Sequence, residues 1–193
     1  MNLQSDNYAA AGWLSITSAI LSVPLMVLSI IQIVKRSSGR VLMPIGIILL
    51  IVVVGLSMYA IYKFRKMLNR QYNFHLVDTL ISVLIAGGVL ITLERILFRM
   101  VYPKALIPLI ILLAVTGIPL SIVGILFAVR LMKLDHDLNG MLKPIAYTYM
   151  AASICFLSVV LSDFGFLFLI AYNVFLGLAL IKAGTEQPIP DFV

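Results

Sequence analysis

Two carboxylic acids interrupt otherwise apolar sequence: Asp78 near the start of the run 76–98, and Glu94 about a turn before its end. An ionisable side chain in such a run is costly, so it faces a bundle interior, a polar pathway or a partner. Ser82 stands one turn after Asp78, and Thr92 and Arg95 continue roughly the same side at helical spacing. Arg95 is long enough to carry its guanidinium to the headgroups, whereas the short Glu94 side chain does so poorly. With Gln32 and Asn173, the residues Asp78, Glu94 and Arg95 are the candidates for a polar pathway or an intersubunit contact. The plainer alternative for both acids is placement at the membrane interface, where the penalty falls steeply.

Other chemistry is weakly represented. The segment Asp135-His136-Asp137-Leu138-Asn139-Gly140 resembles the first half of a calcium loop, but the position that needs a bidentate Glu is Ala146 and Pro144 already starts a helix. It reads instead as a polar helix exit with Gly140 in the left-handed conformation. His75 and His136 both fall in connecting segments, so no pair of imidazoles stands inside the bundle to hold a haem. There is no Cys/His cluster, phosphate loop or nucleophile elbow, and no histidine within a span to act as base for Ser or Thr. No metal, no cofactor and no enzymatic activity are expected.

The elements that must position these residues follow from composition. The chain has 193 residues, 62% of them hydrophobic and 11% charged, with a mean hydropathy of +1.12. Those values exclude a soluble globular domain and a disordered chain. Six apolar runs, 12–34, 41–64, 76–98, 106–132, 144–161 and 164–181, are each read as a transmembrane helix, since lipid offers backbone groups no partner and period-2 alternation is absent. The expected fold is all-α, a polytopic helical bundle forming a single transmembrane domain over 1–193. Ser162 and Asp163 suit a helix N-cap between the last two runs, which must form a tight hairpin. Residues 1–10 carry Asp6 and no Lys or Arg, so the first run is expected to be retained rather than cleaved as a signal peptide.

The formal net charge is +6 and the pI about 9.6, yet the basic residues flank apolar runs instead of forming a block. They are membrane anchors, and no nucleic-acid partner is expected. If the spans alternate, Lys63, Arg65, Lys66, Arg70, Arg130, Lys133, Lys143 and Lys182 share one side, against Lys35, Arg36, Arg40, Arg95, Arg99 and Lys104. Eight against six favours both termini in the cytoplasm. The single Cys155 forms no internal disulfide, and the absence of an Asn-x-Ser/Thr sequon is compatible with a prokaryotic inner (plasma) membrane.

Pro24 and Pro119 lie near the middle of the first and fourth runs, with Gly117 two residues before the latter, so Pro24, Gly117 and Pro119 mark expected kinks. An offset of 95 lays Ser22-Val23-Pro24-Leu25 on Gly117-Ile118-Pro119-Leu120, and one of 85 lays Asp78 on Asp163 and Leu84-Ile85-Ala86 on Leu169-Ile170-Ala171. These matches make a 3+3 inverted repeat a candidate, with chance identity in apolar sequence as the alternative. Small residues at 15, 18, 19 and 22, at 86–88 and at 151–153 allow close helix packing, and Phe164, Phe166, Phe168, Tyr172 and Phe175 form a bulky surface suited to lipid. The leading expectation is a non-enzymatic membrane protein in contact with the lipid bilayer and with other integral membrane subunits, as an accessory subunit of a larger complex. The alternative is a small-solute or ion transporter.

Overall fold

The computed structural model describes residues 6–34, 39–101, 106–135, 137–158 and 161–185. Six helices account for nearly all of them: α1 (Asp6–Val34), α2 (Gly39–Gln71), α3 (Asp78–Val101), α4 (Leu106–Leu131), α5 (Leu142–Leu157) and α6 (Ser162–Thr185). Each helix packs on its neighbours in sequence, and α1 closes the ring by packing most extensively on α6. Five helices are long and apolar enough to cross a membrane. The exception is α5: 16 residues rise about 24 Å, short of a hydrocarbon core of about 30 Å.

The helices depart from the apolar runs at informative places. The second continues beyond residue 64 to Gln71, through Lys66 and Arg70. Ile61, Phe64, Met67 and Leu68 recur at helical spacing and are all buried, while Arg70 on the other side is exposed. Apolar continuity ends at residue 64, but an amphipathic stripe carries the helix on. Beyond it Asn73 takes a positive φ of 47° and the Phe74 N–H reaches back to the Leu68 carbonyl at 3.2 Å, turning the chain into α3. After α4, a 3₁₀ turn at Leu138–Gly140 leads into α5, and Gly140 has the left-handed φ of 83° expected of it. Pro144 falls in the first turn of α5, where no intrahelical bond is lost. The α5–α6 hairpin is tight: Gly165 sits against the Phe156 ring, and Phe156 meets Phe166 edge to face at 5.4 Å. The side chains of Ser162 and Asp163, and all of His136, lie outside the described residues.

Among the described residues the contiguous core draws on all six helices and gathers at one end of the bundle. Tyr8 and Ala11 from α1, Phe64 and Leu68 from α2, Val77 and Ile81, Phe127 and Leu131, Leu142 and Ile145, and Leu176, Leu180 and Ala183 from α6 all contribute. The start of α1 and the end of α6 therefore lie at the same end. They meet backbone to backbone: a Cβ on Gly12 would come within 2.5 Å of the Gly177 carbonyl oxygen, and one on Gly177 within 2.7 Å of that of Gly12. Only glycine permits that approach, which brings the adjoining Ser15 hydroxyl within 2.8 Å of the Asn173 carbonyl. The helices run without interruption through Pro24, Pro44 and Pro119. Among the described residues no internal repeat is shown; α2 and α5, which such a repeat would equate, have 33 and 16 residues.

Candidate functional site

The two acids of α3 occupy different worlds. Asp78 opens the helix, and the turn at 72–77 folds the end of α2 back beside it. Its Oδ1 accepts from Arg65 Nε at 2.8 Å and from Asn69 Nδ2 at 2.8 Å, and its Oδ2 lies 2.9 Å from the same Asn69 nitrogen and 3.0 Å from His75 Nδ1. Arg65 Nη1 also donates to Ser82 Oγ at 3.0 Å, and that hydroxyl lies 3.1 Å from the Asp78 carbonyl. The carboxylate is 20% exposed and the Arg65 side chain 34%. The cluster thus sits at the rim of the bundle, where it staples the end of α2 to the start of α3. Asp78 is placed by side chains of its own chain on three sides.

Glu94 stands 16 residues further along α3, which at 1.5 Å per residue is about 24 Å from Asp78. The helix runs on to Val101, so Glu94 is two turns inside its end, deeper than an end at residue 98 would put it. It is 3% exposed. Its Oε2 lies 2.8 Å from Thr116 Oγ1 on α4, and the same hydroxyl lies 3.0 Å from the Leu112 carbonyl one turn earlier. Oε1 is buried with no hydrogen-bond partner. Thr116 is the eleventh residue of the 26-residue α4, close to its midpoint.

Thr116 also forms part of the wall of an open groove of about 350 Å³ between α3 and α4, with Ala86, Gly87, Leu90, Val115 and Pro119. Among the nine lining residues Thr116 alone has a polar side chain. Pro119 and Val115 are exposed on this face, and Leu120 covers Gly87. Gly117 has open space where a Cβ would be.

The remaining polar groups belong to other contacts. Ser18 Oγ lies 2.9 Å from the Val53 carbonyl and 2.7 Å from Ser57 Oγ, joining α1 to α2. Asn173 is buried; its carbonyl serves Ser15, while its Oδ1 has no partner. The Arg95 guanidinium lies over the Phe166 ring at 4.5 Å, a contact between α3 and α6. The aromatic surface read along the sixth run divides accordingly: Phe164 and Phe168 are exposed, whereas Tyr172 is buried against Tyr149 at 4.6 Å and its hydroxyl has no partner. Gln32 falls in α1, but its side chain lies outside the described residues. Among the described residues no group of three His, Cys, Asp or Glu side chains is placed to hold a metal.

Among the described residues, Asp78 and Glu94 therefore belong to separate contacts rather than to one site. Sequence reasoning paired Asp78 with Ser82 but missed Arg65 and Asn69, which lie just across the turn. Thr116, the partner of Glu94, was missed as well, because nothing local ties α4 to α3 at that level. No protein-family model, curated protein or solved structure matches the chain. What the fold itself defines is a multi-pass integral membrane protein of the helical-bundle class.

Proposed function

We propose that the protein is a non-enzymatic accessory subunit that works through its membrane surface, by packing against the helices of a larger membrane assembly. The observation that supports this reading is the dispersal of polarity. Asp78 is engaged at the rim, Ser15 and Asn173 belong to α1 and α6, Ser18 and Ser57 to α1 and α2, and Glu94 and Thr116 to α3 and α4. A transported solute needs polar groups converging on a cavity near the midplane. The groove between α3 and α4 instead offers apolar walls, lowered at the exposed Ala86, to the surroundings. Small residues on such a surface let a partner helix approach closely, and a ridge of Leu, Ile or Val on a transmembrane helix is the occupant this shape fits.

The six helices, α5 included, are taken to cross the membrane, with both termini in the cytoplasm and the membrane being the inner (plasma) membrane. A 3+3 inverted repeat rests on the sequence matches alone, and superposing the two halves through an axis in the membrane plane tests it. The transporter reading is favoured by one observation, the unpartnered oxygen of Glu94 deep in α3. Flux through proteoliposomes separates the two. The purified protein should pass ions and small solutes no faster than protein-free vesicles, and in native membranes it should co-migrate with another integral membrane protein unless Leu90→Trp fills the groove. Saturable uptake by the isolated protein, lost in Glu94→Gln, would establish the transporter.

A further inference from the structure

We propose that the outward stripe of α2 binds an anionic phospholipid, with the headgroup at Lys63, Lys66 and Arg70 and an acyl chain laid along the apolar part of the same stripe. At about 100° per residue, positions 48, 52, 55, 59, 62, 63, 66 and 70 fall within an arc of about 100°. That arc lies between the side of α2 that enters the core through Phe64 and Met67 and the side from which Arg65 and Asn69 hold Asp78. Along it the chemistry changes in the order a phospholipid requires. Ile48 and Val52 are exposed. Gly55, exposed and with nothing within 4 Å of where a Cβ would stand, leaves a notch beside them. Tyr59 and Tyr62 follow, 40% and 48% exposed, and such rings settle where hydrocarbon meets headgroups. The three cations close the stripe, Arg70 exposed and Lys63 and Lys66 half-buried.

Depth and charge point the same way. Residues 41–62 carry no charged side chain and rise about 33 Å, enough for a hydrocarbon core of about 30 Å. Lys63 therefore stands at the edge of the hydrocarbon, and from there to Arg70 the helix climbs about 10 Å through the headgroup layer. Burial of Phe64, Met67 and Leu68 fixes the rotation of this end, so the stripe stays turned outward. No Asp or Glu occurs between residues 39 and 77, so α2 itself presents only positive charge there. Among the described residues no ion pair engages the three cations, whereas Arg65, on another side of the helix, is held by Asp78. Lys63 Nζ lies 5.4 Å from the centre of the Tyr59 ring, a contact that leaves its charge uncancelled. A zwitterionic headgroup carries a cation of its own beside the phosphate, which a stripe of three cations repels, and an anionic headgroup carries none.

Quenching of tryptophan by lipids brominated on the acyl chain reads which lipid touches a chosen position of the full chain in bilayers. In a Trp13→Phe background, Val52→Trp places the reporter on the stripe. Ile20→Trp places it on the exposed side of α1, a helix without Lys or Arg. In mixed phosphatidylglycerol and phosphatidylcholine bilayers, brominating one lipid or the other gives their relative affinity at each position. A preference of about five-fold for phosphatidylglycerol is expected at position 52, the factor that one basic residue supplies near an anionic surface, and none at position 20. The preference should vanish in Lys63→Gln/Lys66→Gln/Arg70→Gln and survive in Lys63→Arg/Lys66→Arg/Arg70→Lys, which keeps the charges. High salt should weaken it with the three cations intact. No preference at position 52, or one that persists in the glutamine variant or in high salt, would overturn the proposal. So would an equal preference at both positions, which would assign the effect to the general charge of that end, where Arg130, Lys133 and Lys143 are also exposed.

Discussion

A methyl group at position 12 should separate helices that the fold requires to touch. In Gly12→Ala the new Cβ would stand 2.5 Å from the Gly177 carbonyl oxygen, 2.6 Å from Ile181 Cγ1 and 2.9 Å from the Ile181 nitrogen. Two of these three neighbours are backbone, which no rotamer change can clear, so α1 must lift from α6. Overpacking of this kind costs about 1–3 kcal/mol, and lifting also stretches the Ser15 to Asn173 hydrogen bond, whose membrane counterparts contribute about 0.6 kcal/mol on average. Alanine in place of glycine within a helix returns about 1 kcal/mol of propensity. The net loss is about 0.5–2.5 kcal/mol on those three effects together. Gly55→Ala is the control, because nothing lies within 4 Å of its Cβ and propensity acts alone, with a gain of up to about 1 kcal/mol. Reversible unfolding in mixed micelles, followed by circular dichroism, reads both. Equal shifts for the two variants, or a Gly12→Ala protein as stable as the parent, would refute the closure of α1 on α6.

Three further outcomes follow from the same contacts. Asp78→Asn should lower stability by about 1–2 kcal/mol, discounted for partial exposure, with amide exchange accelerating at 78–82 and a smaller effect at high salt. Tyr172→Phe should raise the melting temperature, since it removes a buried hydroxyl with no partner at a saving of about 1 kcal/mol; a fall would reveal a hidden acceptor or a bridging water. Reporters fused to each terminus should signal from the same side of the membrane, because the start of α1 and the end of α6 share one end of the bundle, and opposite signals would show that one helix, α5 first among them, does not cross.

The helices were legible in the sequence because lipid solvation makes apolar continuity the dominant signal, and the cores of all six coincide with apolar runs. Boundaries were legible where that signal coincides with chemistry, as at Asp78, whereas α5 begins at Leu142, two residues before Pro144, and α4 ends at Leu131, well before Gly140. Nor were they legible where a helix leaves the membrane and survives on amphipathic spacing, as α2 does through Met67 and Leu68. Small residues were visible as stripes, and Ser15, Ser18, Ala19, Ala152 and Ser153 are indeed buried. The backbone-to-backbone approach of Gly12 on Gly177 went unseen, because a lone glycine shows its role only once the neighbouring helix is known. The same holds for the site. Asp78 to Ser82 is a helical repeat readable along one strand of sequence, whereas Glu94 to Thr116 depends on the register of α3 against α4, which no local pattern encodes.

The central claim is that this protein acts by presenting the α3–α4 groove to a helix of another membrane protein. A photoreactive amino acid at Val115, in the groove wall, compared with one at Phe164, on an exposed face elsewhere, tests it in native membranes. The account predicts a discrete protein adduct of one mass from position 115, abolished by Leu90→Trp, and only lipid adducts from position 164. Lipid adducts alone from both positions would contradict it.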